Sequence, residues 1–334
     1  MIMKISSFHT TLLLIISIFT LLGCSSSSEE EQKVDDAKAY DITIGYAAWP
    51  GYEIVYYPQV KKIFQEYGIK VKIHRYSDQE AAQKAMDNLE IDGTLTTVWD
   101  ALLLHSNNEF NIILATDISA GSDGIVAQKE IKNIKELKGK KISAQHNAVN
   151  MLILLEALQK SNMSYDDVTI IDITNEEALA QIYHHNIDAA VLWEPLLTKT
   201  KERIDGNIIF TTKEVNSSVI DILLVSEQSL KSKKDIWKKF IFAWFDTMKT
   251  LRTNPNEVIE IVSQQTINPN FEKDYKGLKP GTIELNNNLF TDGGIEKTIE
   301  KIDKYINLGK RSKVTVATDF YEEALNEWKA KNAK

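Results

Sequence analysis

Asn88-Leu89-Glu90-Ile91-Asp92-Gly93-Thr94-Leu95-Thr96-Thr97-Val98-Trp99-Asp100-Ala101-Leu102-Leu103 and, further along the chain, His185-Asn186-Ile187-Asp188-Ala189-Ala190-Val191-Leu192-Trp193-Glu194-Pro195-Leu196-Leu197 pass through the same succession of elements. Each reads as the end of a helix, a turn, Ile-Asp, an apolar strand, a Trp followed by an acid, and a helix opening on Leu-Leu. The interval from Asp to Trp is seven residues in the first and five in the second, so the match is one of architecture and not a strict repeat. One such unit in each of two lobes is the simplest arrangement. Asp92 and Asp188, short carboxylates entering strands, are suited to tying down turn amides. Trp99-Asp100 and Trp193-Glu194 fall at the carboxyl ends of strands, where open α/β sheets bind ligands.

Outward from these units, short β-branched runs alternate with amphipathic helical patterns, which argues for α/β layers over an all-β or all-α chain. Strands are expected at Asp41–Tyr46, Lys70–Arg75, Thr94–Val98, Asn111–Thr116, Gly124–Gln128, Lys141–Ala144, Val168–Ile173 and Ala189–Trp193. A helical region after the first strand is interrupted near Pro58 and closed by Gly68, as a C-cap closes a helix. Ser77-Asp78-Gln79-Glu80 starts a helix running to about Leu89, and helices follow around Asp100–His105, Ala148–Lys160 and Asn175–His185. Asp221–Ser226 is an apolar strand, and the chain beyond it is mainly helical: Asn256–Gln264, Gly294–Leu308 and Asp319–Lys331. Ile236, Phe240, Trp244, Met248 and Leu251 recur at helical spacing and read as a core stripe, with Trp237 and Trp244 in the core and not at a ligand.

The amino end carries Lys4, an apolar run Leu12–Leu22, then Leu21-Leu22-Gly23-Cys24 and a Ser/Glu stretch. An apolar core of that length suits a secretory signal and is too short to span a bilayer. Cys24 is the only cysteine in 334 residues, so it has no partner for an intrachain disulfide; behind a small residue it reads as a lipid attachment point. Residues 1–23 are thus expected to be a lipoprotein signal peptide and 24–39 a flexible tether, low in apolar side chains. The chain holds 39 basic and 47 acidic side chains; loss of Lys4 with the signal leaves 38 against 47, a net charge of −9. Without a basic patch, nucleic acid is not an expected partner.

Five segments occur in a telling order: Tyr46-Ala47-Ala48-Trp49-Pro50-Gly51-Tyr52-Glu53, Asp92-Gly93-Thr94-Leu95-Thr96-Thr97, Ser122-Asp123-Gly124-Ile125-Val126-Ala127, Leu137-Lys138-Gly139-Lys140-Lys141-Ile142 and Asp188-Ala189-Ala190-Val191-Leu192-Trp193-Glu194-Pro195. From about Ile42 to Ser226 the chain resembles the substrate-binding proteins of the nitrate/taurine/alkanesulfonate and thiamine-pyrimidine-precursor group, which serve ABC importers. The resemblance implies an α/β type II periplasmic-binding-protein fold: two lobes, each with a mostly parallel sheet flanked by helices, joined by two hinge crossovers. Mapped onto this chain, the crossovers fall near Gly124–Gln128 and Asp221–Val225, giving lobe 1 as 40–126 plus 220–334 and lobe 2 as 127–219. It also implies an ABC permease and ATPase as partners and a monomer attached to the extracytoplasmic face of a membrane.

Candidate ligand-binding residues are Trp49, Thr96, Thr97, Trp99, Asp123, Asn147, Trp193 and Glu194. Pro50-Gly51 turns the chain after the first strand, so Trp49 projects into the crevice or packs against Tyr52 beneath the loop. Thr96, Thr97 and Trp99 end a strand with two hydroxyls and a stacking face. Asn147 precedes a helix whose first amides can hold an anionic group, or it serves as a plain N-cap. Glu194 suits an amine across the cleft, or is a surface acid.

Asp100, Asp123, Glu194 and Asp221 accompany these positions without Lys or Arg, and an anion among unpaired carboxylates is costly. A taurine-like aminosulfonate or an aminopyrimidine fits better than nitrate or bicarbonate, although His146-Asn147-Ala148-Val149 departs from the Gly-Ser/Thr character common at the second-lobe helix start. An enzyme is not expected, because the single cysteine is committed to lipid and the histidines lack metal spacing; no metal or cofactor is implied. A ligand sensor docking to a membrane receptor uses the same cleft physics and stays open as an alternative.

Overall fold

A computed structural model describes residues 39–215, 219–305 and 312–333. The signal peptide, Cys24 and all of the tether except Ala39 lie outside the described residues. Twelve strands are present among those described: β1 Ile42–Tyr46, β2 Val71–Arg75, β3 Gly93–Thr97, β4 Glu109–Ser119, β5 Asp123–Ala127, β6 Lys141–Ser143, β7 Thr169–Ile171, β8 Ala189–Trp193, β9 Asn207–Thr211, β10 Ile220–Ser226, β11 Leu278–Pro280 and β12 Lys313–Val316. They form two sheets flanked by helices. One has the order β11-β4-β10-β3-β1-β2, with β12 pairing β4, and the other the order β7-β6-β8-β5-β9.

Both sheets are mixed, where mostly parallel strands are expected from the resemblance. β1 pairs β2 and β3 in parallel, and β6 pairs β7 and β8 in parallel. The strands next to the passages between sheets run the other way: β10 is antiparallel to β3 and β4, and β5 to β8 and β9. A chain that returns from one sheet to the other enters against the direction of the strands already there, which antiparallel pairing accommodates without a helical crossover. All five residues of β5 belong to the second sheet, so the first passage falls at Ala120–Ser122 and not at Gly124–Gln128. β10 belongs to the first sheet, so the second passage falls before Ile220, ahead of Asp221–Val225.

β4 spans eleven residues, longer than Asn111–Thr116, and is buried over all but its first residue. With both faces covered there is no polar alternation to mark its ends, and Asp117 and Ser119 read as a boundary although the strand runs through them. The paired-unit reading of Asp92 and Asp188 holds in detail. Asp92 Oδ2 accepts from the Thr43 amide at 2.9 Å, and Asp188 Oδ2 accepts from the Lys141 amide at 2.9 Å, each carboxylate tying its turn to the neighbouring strand. After β1 the chain breaks into three short helices, Pro50–Glu53, Tyr56–Val60 and Ile63–Glu66, and Gly68 follows at φ +70°, the left-handed conformation glycine adopts without a Cβ penalty.

The core stripe lies on helix Lys234–Thr253, where Phe240, Trp244, Met248 and Leu251 are buried and Ile236 is half-buried. Trp244 Nε1 donates to the Gly281 carbonyl and Trp237 Nε1 to Ser229 Oγ, so both indoles are satisfied inside the core, as expected. Among the described residues no helix is long and apolar enough to cross a membrane.

Candidate functional site

The carboxyl ends of β1, β3 and β8 meet the start of β5 around a small cavity. Ala47, Ala48, Trp49, Tyr52, Gln79, Thr97, Asp100 and Asp221 line it from the first sheet, and Asp123, Val149 and Trp193 from the second. Its volume is about 30 Å³, room for a water or two, and it is open on one side. Two larger cavities adjoin it at the mouth. One of about 350 Å³ is lined by Arg75, Gln79, Glu80, Gln145 and Trp193. The other, of about 390 Å³, has Trp49, Glu53, Arg75, Glu194, Lys199 and Ile267 in its walls.

Sheet register assembles the floor. Asp221 on β10 stands opposite Thr97 on β3 and Asp117 on β4, three neighbouring strands in one row. Like charges directly opposite each other repel, the more so because Asp117 and Asp221 are fully buried. Tyr52 Oη donates to Asp221 Oδ1, and Trp49 Nε1 donates to Asp117 Oδ1 at 3.3 Å. Burial above all, and then the Asp117 charge, push the Asp221 carboxyl well above the usual carboxylate range, and burial pushes Asp117 up to about 7. The pair therefore keeps a proton near neutrality. Gly51 is required here: a Cβ at this position would stand 2.0 Å from Asp117 Oδ2.

Asp100 and Asp123 complete the acid cluster, each 2% exposed. Asp100 lies in helix Val98–Leu102; its Oδ2 accepts from Thr97 Oγ1 at 2.9 Å and Gln79 Nε2 at 3.3 Å, while its amide donates to Thr97 Oγ1 at 3.0 Å. Desolvation pushes it up to about 7 in spite of these donors, and the Val149 amide of the second sheet's helix Val149–Lys160 draws the value back down. Asp123, register partner of Trp193, is likewise raised to about 7 by burial and by the charges of Asp117, Asp100 and Glu194. Among the residues lining the inner cavity there is no Lys or Arg. At the mouth, Arg75 lies 3.6 Å from Glu53, whose carboxyl burial raises to about 7.

Trp49, Thr97, Asp123 and Trp193 come together in the inner cavity. Trp49 also packs on Tyr52 at a ring separation of 6.4 Å, so its two readings coexist. Thr96 stands one step behind, its Oγ1 accepting from Gln79. Three candidates fall elsewhere. Helix Val98–Leu102 starts directly after β3 and turns Trp99 away from the cavity into the core, where it is 3% exposed. Asn147 is exposed and is not the N-cap, a position Ala148 occupies without a side-chain bond; the Asn147 carbonyl accepts from Gln83 Nε2 at 3.2 Å. Glu194 lies at the mouth, with its carboxylate taken by the Thr198 amide at 3.1 Å and the Thr198 hydroxyl at 2.5 Å, at the start of helix Leu196–Arg203. Sequence reading missed Tyr52, Gln79 and Asp117. The available signal for Asp117 was a carboxylate inside the apolar run Ile112–Ile118.

Two sheets with the chain passing twice between them define the type II periplasmic-binding-protein fold. Residues 49–258 match the NMT1/THI5-like family, and the chain belongs to it. A binding protein of Brucella abortus is 23% identical over 289 residues, covering 84% of this chain and 89% of its own. The taurine-binding periplasmic protein of Escherichia coli K12 is 21% identical over 225 residues, covering 66% and 69%. Among solved structures, the alkanesulfonate-binding protein of Xanthomonas axonopodis pv. citri, with MOPS bound, superposes at a TM-score of 0.66 with 15% identity, over 83% of this chain and 98% of that one.

Proposed function

We propose that this protein is an extracytoplasmic solute-binding lipoprotein that captures a small nitrogen- or sulfur-containing organic compound and delivers it to an ABC permease and ATPase. One observation carries the reading: a buried, aromatic-walled cavity to which both sheets contribute, with Trp49, Tyr52 and Asp221 on one side and Asp123 and Trp193 on the other. A ligand touching both sides favours the arrangement in which they are together, which is the requirement for closure on binding. The lobes are then 40–122 with 219–305 and 312–333, and 123–215, and bending between them brings the two sides together. The names of the relatives, a taurine-binding and an alkanesulfonate-binding protein among them, support a small organic solute. Leu21-Leu22-Gly23-Cys24 supports attachment through an acylated Cys24.

The test is a thermal-shift and calorimetric screen of taurine, alkanesulfonates, aminopyrimidines, nitrate and bicarbonate, followed by small-angle scattering with any binder. Ligand at 100 times its dissociation constant stabilises the fold by about 2.7 kcal/mol. A binder should also reduce the radius of gyration. A tight binder whose affinity is untouched by Trp49→Ala, with no change in scattering, places the ligand outside this cleft.

A further inference from the structure

We infer that the ligand enters this cleft with a cationic, N–H-bearing head innermost, held between Asp100 of the first sheet and Asp123 of the second; this rests on the solute-binding reading above. Asp100 Oδ1, Asp123 Oδ2 and Asp221 Oδ2 have no hydrogen-bond partner among the described residues although these side chains are only 1 to 2% exposed, and all three line the same cavity. A buried acceptor left open carries a desolvation cost that a donor from the ligand removes. Three such acceptors, two on the first sheet's side and Asp123 on the second, call for a head group with at least two N–H donors, such as an ammonium or amidinium, which bridges Asp100 and Asp123 and pulls the sheets together as it is bound. The indoles of Trp49 and Trp193 and the ring of Tyr52 flank the same space and favour a cation electrostatically.

Size and charge distribution set the orientation. The inner cavity, at about 30 Å³, is much the smaller, so the body of a ligand whose head lies there extends toward the cavity of about 350 Å³ at the mouth. That outer space carries Arg75 beside Asp78, Glu80 and Glu176, and the neighbouring one has Arg75 and Lys199 beside Glu53 and Glu194. The outer spaces thus hold cations as well as acids, while the inner floor holds acids alone and repels an anionic tail. The start of helix Val149–Lys160, which no side chain caps, is no free anion slot: its Val149 amide already faces Asp100, a carboxylate of the chain itself. An anion entering there displaces or confronts that carboxylate. A zwitterion such as an aminosulfonate therefore binds amine-first.

The experiment is calorimetry at pH 8 on the wild-type protein with taurine, with isethionate, in which a hydroxyl replaces the amine, with methanesulfonate, and with benzamidine and putrescine as sulfonate-free cations. Asp123→Asn and Asp100→Asn are measured alongside, with urea unfolding to establish that each variant folds. The expected result is heat with at least one amine or amidine, isethionate at least tenfold weaker than taurine, and roughly tenfold or greater loss of the cation in Asp123→Asn, the range expected for a charged hydrogen bond. Binding of isethionate or methanesulfonate as tightly as the amines, or cation binding that survives both variants, overturns the cationic-head assignment and leaves the solute-binding reading standing. No heat with any compound, in a folded protein, sinks the cleft reading and this assignment together.

Discussion

Replacing Asp123 by Asn should make the ligand-free protein more stable at alkaline pH and less stable in acid. Asp123 is 2% exposed, and burial, together with the charges of Asp117, Asp100 and Glu194, raises its carboxyl from 3.8 to about 7. The unfolded chain ionises this group near pH 4, while the folded chain holds its proton until pH 7. Between those values the native state binds more protons than the unfolded one, so stability falls as pH rises. At roughly 1.4 kcal/mol for each tenfold change in proton activity, the interval costs on the order of 4 kcal/mol by pH 8 as an upper bound. Asn removes that cost but places an amide among acceptors and donors arranged for a carboxyl, at about 1 to 2 kcal/mol. Net, the variant should gain about 2 to 3 kcal/mol at pH 8 and lose at most about 1 kcal/mol at pH 4.5, with the two curves crossing near or just above that pH. Urea unfolding from pH 4.5 to 8.5, with m-values checked for constancy, reads this directly. Parallel wild-type and variant curves, or a variant less stable at pH 8, refute the assignment of a buried, proton-holding carboxyl.

The affinity for an amine-bearing ligand should fall as pH drops below 7, because Asp100 and Asp123, surrounded by Asp117, Asp221, Tyr52 and Glu194, must shed protons to receive the cation; isethionate should show no such slope. Gly51→Ala drives a methyl into the Asp117 carboxylate and should cost about 1 to 3 kcal/mol in unfolding experiments; an unchanged melting temperature contradicts the close approach. Glu194→Gln should cost about 0.5 to 1 kcal/mol through the weakened start of helix Leu196–Arg203, and should change cation affinity far less than Asp123→Asn. Cys24→Ala should release the protein from the membrane fraction or leave its precursor uncleaved, and normal fractionation at the processed mass rejects the lipid anchor.

The architecture was legible because the features that build it are local. Ala189–Trp193 is the strand the alternation predicts, and Asp92 and Asp188 perform one job twice because each stands at the mouth of its strand. The passages between sheets were displaced by a few residues, since an apolar run such as Asp123–Ala127 carries no mark of the sheet it joins. The site was legible in part. Trp49, Thr97, Asp123 and Trp193 follow from strand ends, which the periodicity reveals. Trp99 and Asn147 fail on helix phase: starting a helix one residue earlier or later rotates a side chain by roughly 100°, and sequence boundaries are less sharp than that. Asp117 and Asp221 meet through cross-strand register between strands about a hundred residues apart, a non-local relation that composition and spacing leave unspecified.

Three of the four clustered acids lie beside the passages between sheets: Asp117 three residues before Ala120, Asp123 next to Ser122, and Asp221 two residues after Val219. Charge is thus concentrated at the fulcrum of the proposed motion and not at the lips of the cleft. A cation that displaces their protons acts there on a short arm, and any bending it sets up is carried to the far rim, where the long arms end. On the proposed reading, an importer that grips the rims would read the electrostatic state of the pivot more than the outline of the solute. Compounds of quite different bulk, provided each delivers the same positive head to the fulcrum, would present the transporter with the same silhouette.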